Sequence, residues 1–253
     1  FQNKRQRKHQ NARTVMYLRL VSFTFCIILI TLVGLKPVFA GSGQQKFGIY
    51  VTGLKIGELT YAVNSKGPNY AVRGIIQATG LVGAIAKFHF DATAFGKMIK
   101  GRHHSQKYIE TSDNGKRVSI KKMIYNNGVP NLTYSEPRKD YWVWPSKQKG
   151  TVDPMTAIMA LLANQTKGAS CRLSMDIYDG ARRFSIKLFK KITSGDKLSC
   201  KGTYTKIAGY SKKEWAKDKG FPFELKYILK DNIYQVDHLI MSTSRGRTSF
   251  IRR

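Results

Sequence analysis

The chain has 253 residues, with 44 Lys+Arg against 15 Asp+Glu, a formal charge of +29. A hydrophobic content of 42% with 11% aromatics is enough for a packed core and argues against wholesale disorder. Seven prolines and a low aliphatic bias argue against a collagenous or multi-spanning membrane chain, and the length suits one or two domains.

The first forty residues carry seven of the basic residues (Lys4, Arg5, Arg7, Lys8, Arg13, Arg19, Lys36) and no acid. An apolar run of 15 residues, VSFTFCIILITLVGL, occupies 21–35, followed by Lys36-Pro37-Val38-Phe39-Ala40 and Gly41-Ser42-Gly43. A basic start, an apolar middle and small residues at −3 and −1 make the layout of a secretory signal, with cleavage expected after Ala40. A spanning helix needs about 20 apolar residues, so removal is favoured over an uncleaved anchor, the alternative that would leave this segment in the inner membrane. Met16 is a candidate start for a signal of ordinary length. Cys26 lies inside the apolar run, away from the cleavage point, which argues against a lipid-modified N-terminal cysteine.

Residues 41–253 then form one exported domain, with 37 Lys+Arg against the same 15 acids, a net of +22. Two cysteines remain, Cys171 and Cys200. An even pair in an exported chain reads as a disulfide, with two buried free thiols as the bland alternative. Closing a loop of about 30 residues stabilises by roughly 3–4 kcal/mol on the chain-entropy model. No CxxC spacing or histidine cluster points to a redox motif or a zinc site.

Strands dominate the chain from 47 onward. Runs at 47–52, 56–64 and 70–79 are β-rich, separated at Thr52-Gly53 and at the Asn64-Ser65-Lys66-Gly67-Pro68 turn. Residues 80–86 (GLVGAIA) are open between a helical turn and a loop. Residues 88–95 alternate, placing Phe88, Phe90, Ala92 and Ala94 on one face. Runs at 101–111 and 116–125 flank Asp113-Asn114-Gly115, a hairpin signal. In the second of these arms Val118, Ile120, Lys122 and Ile124 share a face. Asn126-Asn127-Gly128 turns into a strand at 129–135, and Tyr141-Trp142-Val143-Trp144 reads as a short strand or loop closed by Pro145.

One main helix follows, near 153–164. Asp153 is its acidic N-cap and Pro154 its first residue, and Met155, Ile158, Met159, Leu161 and Leu162 make a broad apolar stripe that belongs in the core. Strands resume at 172–178 and 182–191 around Asp179-Gly180. Ser194-Gly195-Asp196 turns into 198–210. The runs 223–229 and 233–243 flank Asp231-Asn232, and 248–253 is a further edge strand. The fold class is mostly β: a single domain with a strongly curved antiparallel sheet, half-barrel or spiral-like, and one main helix. In a flat meander Cys171 and Cys200 would sit two strands apart, about 9–10 Å, beyond the roughly 7 Å that a disulfide spans. Bonding therefore requires a loop that folds across, a curled sheet, or a bulge.

No catalytic, cofactor or metal motif emerges. His103 and His104 are adjacent on a strand and point to opposite faces, as ordinary surface or edge histidines. Asp237, His238, Ser242 and Ser244 contain the residue types of a hydrolytic triad, without the G-x-S-x-G elbow. The doublets Lys121-Lys122, Arg182-Arg183, Lys190-Lys191 and Lys212-Lys213 lie beside aromatics such as Tyr125, Phe184, Tyr210 and Trp215. Such interleaving can serve single-stranded nucleic acid. In an exported protein anionic envelope lipid, glycolipid or cell-wall polymer is the expected partner instead, and a solvated basic surface is the alternative to both.

Several segments together resemble one family: Tyr50-Val51-Thr52-Gly53-Leu54-Lys55-Ile56-Gly57, then Val152-Asp153-Pro154-Met155-Thr156-Ala157, then Cys171, Tyr178-Asp179-Gly180-Ala181-Arg182-Arg183-Phe184, Cys200 and Ile207-Ala208-Gly209-Tyr210. In order and spacing these resemble domain of unknown function 3108, an exported family common in alphaproteobacteria, over most of residues 47–243. The resemblance implies a β-rich periplasmic domain and supplies no catalytic residues. The expectation is a non-enzymatic binder of an envelope component that supports envelope integrity. The alternatives are an envelope hydrolase and a structural partner of another envelope protein.

Overall fold

The computed structural model describes residues 43–80, 83, 88–168, 171–244 and 246–253. The signal-like segment, its cleavage point and most of residues 80–86 lie outside the described residues. The described residues belong to one compact unit.

Fourteen antiparallel strands build the fold: β1 (Gly43–Val51), β2 (Leu54–Lys66), β3 (Asn69–Ala78), β4 (His89–Ile99), β5 (Arg102–Asp113), β6 (Val118–Asn126), β7 (Val129–Tyr134), β8 (Gln165–Thr166), β9 (Leu173–Tyr178), β10 (Arg183–Ser194), β11 (Lys197–Ala208), β12 (Gly220–Lys230), β13 (Ile233–Thr243) and β14 (Gly246–Arg252). The sheet order runs β7-β6-β5-β4-β3-β2-β1-β14-β13-β12-β11-β10-β9, with β8 added to β13. Two meanders thus grow outward from a central β1–β14 pair, and the tail expected as an edge strand lies mid-sheet between β13 and β1. That pairing joins the two ends of the described chain, so no local pattern announces it.

Tight turns make the meander possible. Thr52-Gly53, Lys100-Gly101, Asn127-Gly128 and Asp231-Asn232 all have positive φ at both positions, matching the right-handed twist of the flanking strands. The Asn114-Gly115 hairpin takes a longer form, with Asn114 Oδ1 accepting from the N–H groups of Lys116 and Arg117, both at 3.0 Å. Bulges interrupt the register in four strand pairs, β1–β2, β4–β5, β10–β11 and β12–β13, and sharpen the curl.

The curled sheet is barrel-like but not closed. Its edges, β7 and β9, are bridged by the connector at 135–152. Gly150 N–H bonds the Gly128 carbonyl at 3.0 Å, Val152 exchanges 2.9 Å bonds with Asp176 and Tyr178 of β9, and Val143 N–H bonds Ala181 O at 3.0 Å. Trp142 stacks on Tyr134 of β7 with centroids 5.4 Å apart. The segment at 141–144, expected as a short strand or loop, is this bridging loop, followed by a 3-10 turn, Pro145–Lys147.

Helix α1 (Pro154–Leu161) lies against the inner face, on β3, β4, β5 and β9. It is shorter than the expected 153–164. Leu162 caps it, and the chain must then extend as β8 to pair with Ile233 and Tyr234. Glycines admit the interior side chains. A Cβ at Gly74 would sit 2.6 Å from Met155 Cε, and one at Gly96 would sit 2.2 Å from Tyr70 Oη. A second helix, α2 (Lys212–Lys217), is an addition to the expected single helix. Its signal is local: Ser211 and Glu214 form a capping box.

In β6 the Val118 and Ile120 face is the outer one, 57% and 53% exposed, and Lys121, Met123 and Tyr125 point inward. Lys121 is accommodated because its ammonium lies 3.2 Å from Glu110, which also accepts from Tyr108 Oη at 2.6 Å. The cysteines bond across a Cα separation of 5.5 Å. Cys171 lies outside β9, just before it, with φ +50, and β10 is bulged between Leu188 and Lys190, so a position off the strand and a bulge both accompany the short separation.

Candidate functional site

Among the described residues, two polar constellations occur on the inner face, one around the start of α1 and one beside the end of β11. The first surrounds the start of α1. Asp153 caps the helix through Thr156 N–H at 2.9 Å, and its other oxygen accepts from Ser105 Oγ at 2.5 Å and Thr156 Oγ1 at 2.6 Å. Ser105 Oγ in turn accepts from Asp153 N–H at 3.0 Å, and Tyr70 Oη lies 3.0 Å from Thr156 Oγ1. Asp153 and Thr156 have no exposed surface. Burial pushes the Asp153 carboxyl above its ordinary range, against the hydroxyl and amide bonds that hold it ionised. The Ser105, Thr156 and backbone donors each have an acceptor and fix the helix inside the sheet, while the buried Tyr125 hydroxyl beside Ser105 and Asp153 has no hydrogen-bond partner among the described residues.

The second constellation is an open cleft lined from β1, β11, β12, β13 and β14. Strand register places Tyr204 opposite Phe221, in step with the buried Cys200–Leu225 pair, so both rings face inward. Val51 opposite Thr248, and Thr248 opposite Met241, continue the same face across β1, β14 and β13. The cleft has a volume of about 440 Å³, with Val51, Tyr204 and Phe221 as its apolar floor and Thr243, Ser244 and Thr248 on one wall. Phe184, Tyr204 and Phe221 form an aromatic row, with centroid separations of 4.9 and 4.6 Å. The segment at 209–219, carrying α2, supplies Tyr210, Glu214, Lys217 and Asp218 to the rim.

The rim is polar but its charges are largely neutralised within the protein. Lys206 Nζ lies 2.7 Å from Asp218 Oδ1 and donates to the carbonyls of Glu214 and Asp218 at 2.7 and 2.8 Å. Arg182 donates to Glu214 at 2.8 Å. Burial works against the Glu214 charge, but bonds from Ser211 and the Arg182 charge outweigh it and hold that carboxyl below its ordinary range. Tyr204 and Tyr210 share a 2.5 Å hydroxyl–hydroxyl bond. Burial raises the Tyr204 phenol, and burial with the Tyr204 contact raises Tyr210, so both are neutral donors at ordinary pH.

The histidines and serines named from sequence do not converge. His103 is half-buried, edge-on to the Tyr70 ring at 5.7 Å, while His104 is exposed on the opposite face. Burial and the His104 charge lower the His103 imidazole to about 4. His238 Nδ1 contacts Asp237 at 2.6 Å, and Ser244 donates to Asp218 at 3.1 Å. Ser242 is exposed at the end of β13. No group of three or more metal-ligating side chains converges among the described residues. The cleft residues carry no sequence motif, since five separate strands deliver them; only the Ser211–Glu214 capping box marks the rim.

The fold and cleft define the class: an open, barrel-like antiparallel meander with a helix packed on its inner face and an open cleft beside the end of β11. Within that class the chain belongs to the family described as "Protein of unknown function (DUF3108)", whose model matches residues 46–208. The match takes in Val51, Tyr204 and Lys206 but ends before α2 and β12–β14, so the cleft straddles its boundary. No curated protein matches the sequence. A solved structure of a β-barrel-like protein of domain of unknown function DUF1849 from Brucella abortus is similar at TM-score 0.46 and 9% identity, covering 85% of this chain and 97% of that one.

Proposed function

We propose that this is a non-enzymatic periplasmic protein that binds the apolar part of an envelope lipid or glycolipid in the cleft. The single observation that carries the reading is the cleft floor of Val51, Tyr204 and Phe221, within a volume of about 440 Å³. That volume falls in the range of small-molecule sites. Apolar floors with a few convergent hydroxyls, here Tyr204, Tyr210, Thr243 and Thr248, orient a largely apolar ligand. Export is supported by the basic–apolar–small layout of residues 1–40 and by the Cys171–Cys200 bond, which suits an oxidising compartment. Lys206 of the rim already meets Asp218, and Lys217 is the one other cation lining the cleft among the described residues, so the cleft suits an acyl chain or sugar better than a bare phosphate.

Titration with a fluorescent fatty acid tests the reading. The wild-type protein should bind it saturably, and Thr248→Trp, which fills the cleft, should abolish binding while leaving the melting transition in place. Val51→Trp serves as a second filling variant should the first fold poorly. Saturable binding that is unchanged in both folded variants would sink the cleft as the site.

A further inference from the structure

The outer face of the β10–β11–β12 end carries a different surface. Register aligns Lys190 with Lys201, Ile192 with Ser199 and Lys226, and Lys197 with Ile228 on this face. Lys187 joins them from the next outward position of β10. Phe189, at the bulge, is 56% exposed, Ile192 41% and Ile228 39%. All five lysines are exposed, and none has an ion pair among the described residues. The nearby acids are few. Glu224 accepts from Ser199, while Asp196 and Asp231 sit in the flanking turns.

We infer that this face docks on an anionic phospholipid bilayer. Clustered lysines are drawn to a negatively charged leaflet, and each contributes near its surface. A soluble anionic polymer would be served by the charge alone. The three apolar side chains standing among the lysines fit the headgroup–acyl boundary, where lysine stems and apolar groups are both buried. This surface lies on the outer face and shares no residue with the cleft, so the inference stands independently of the ligand that the cleft takes.

The test uses the protein as purified from expressing cells, with vesicles of phosphatidylglycerol mixed with phosphatidylethanolamine, or of phosphatidylcholine alone. Phe189→Trp places a reporter at the bulge, and its emission relative to wild type should be quenched by brominated lipid in the anionic vesicles only. That readout is specific to position 189 and is insensitive to any contact made by residues 21–35. The triple change Lys190→Gln, Lys201→Gln, Lys226→Gln should weaken anionic-vesicle binding about a hundredfold, at roughly fivefold per lysine. The control triple Lys66→Gln, Lys100→Gln, Lys116→Gln removes the same charge from turns of the other meander and should change binding severalfold at most. Absence of quenching at position 189, or equal losses in the two triples, would overturn the inference. The cleft variant Thr248→Trp should bind vesicles as wild type does, which separates failure of this face from failure of the cleft.

Discussion

Replacing Asp153 with Ala removes the single acceptor shared by three donors at the start of α1. Loss of an N-cap costs about 1 kcal/mol. The Ser105 and Thr156 hydroxyls then lose their acceptor in a site without solvent, at about 1–3 kcal/mol each. Against this stands relief from burying a carboxylate, the same penalty that raises its pKa. The net expected loss is about 2–4 kcal/mol, a large share of the roughly 5–15 kcal/mol that holds a domain together. Equilibrium urea unfolding at neutral pH, followed by circular dichroism, measures it. Ser105→Ala should cost about 1–2 kcal/mol. The double variant should cost less than the sum of the two, because the Ser105–carboxylate bond is already lost in the single change and only the bond from the residue-153 N–H to Ser105 remains to be removed, a coupling of about 1 kcal/mol. A loss below about 0.5 kcal/mol for Asp153→Ala, or simple additivity of the two, would refute the shared-acceptor account.

Three further outcomes are expected. Gly96→Ala should destabilise by about 1–3 kcal/mol in the same urea assay, since the new Cβ would meet Tyr70 Oη at 2.2 Å and His104 O at 2.5 Å. Changing Cys171 and Cys200 to Ser together should cost about 3–4 kcal/mol from the released loop, and wild-type protein should melt lower under reducing than oxidising conditions. His103 should make the fold acid-sensitive. Its folded pKa is depressed to about 4 from 6.5, so the unfolded chain binds more protons, and stability falls as pH drops from about 6.5 through 4. His103→Phe, which keeps the ring against Tyr70, should flatten that part of the stability–pH curve measured by thermal melts.

Much of the fold is legible in the sequence because hairpins are local. Asn127-Gly128, Asp179-Gly180 and Asp231-Asn232 all mark strand boundaries, and Asp153-Pro154 marks the helix start. What escapes is non-local. The β14 strand reads as an edge because nothing near it names β1 as its partner. Lys121 reads as surface because its neutralising partner, Glu110, lies on the preceding strand and becomes adjacent only through the register. The alternation in β6 shows that Val118 and Ile120 share a face but not which way it points, and the structure turns Lys121, Met123 and Tyr125 inward. The helix end is misplaced because β8 competes for residues 165–166. The cleft is invisible because Tyr204, Phe221 and Thr248 come from separate strands of one meander, and Val51 joins them only through the β1–β14 pairing. The α2 capping box was readable, and a strict scan for Ser-x-x-Glu finds it.

The central claim is occupancy of the cleft by an envelope lipid or glycolipid. Mass spectrometry of an organic extract of the protein purified from its native envelope measures this directly, with the folded Thr248→Trp variant extracted in parallel. The account predicts an acyl-bearing molecule in near-stoichiometric amount from wild type and its loss from the variant. A wild-type extract free of such molecules, from a protein that also takes up none on incubation with envelope lipids, would contradict it.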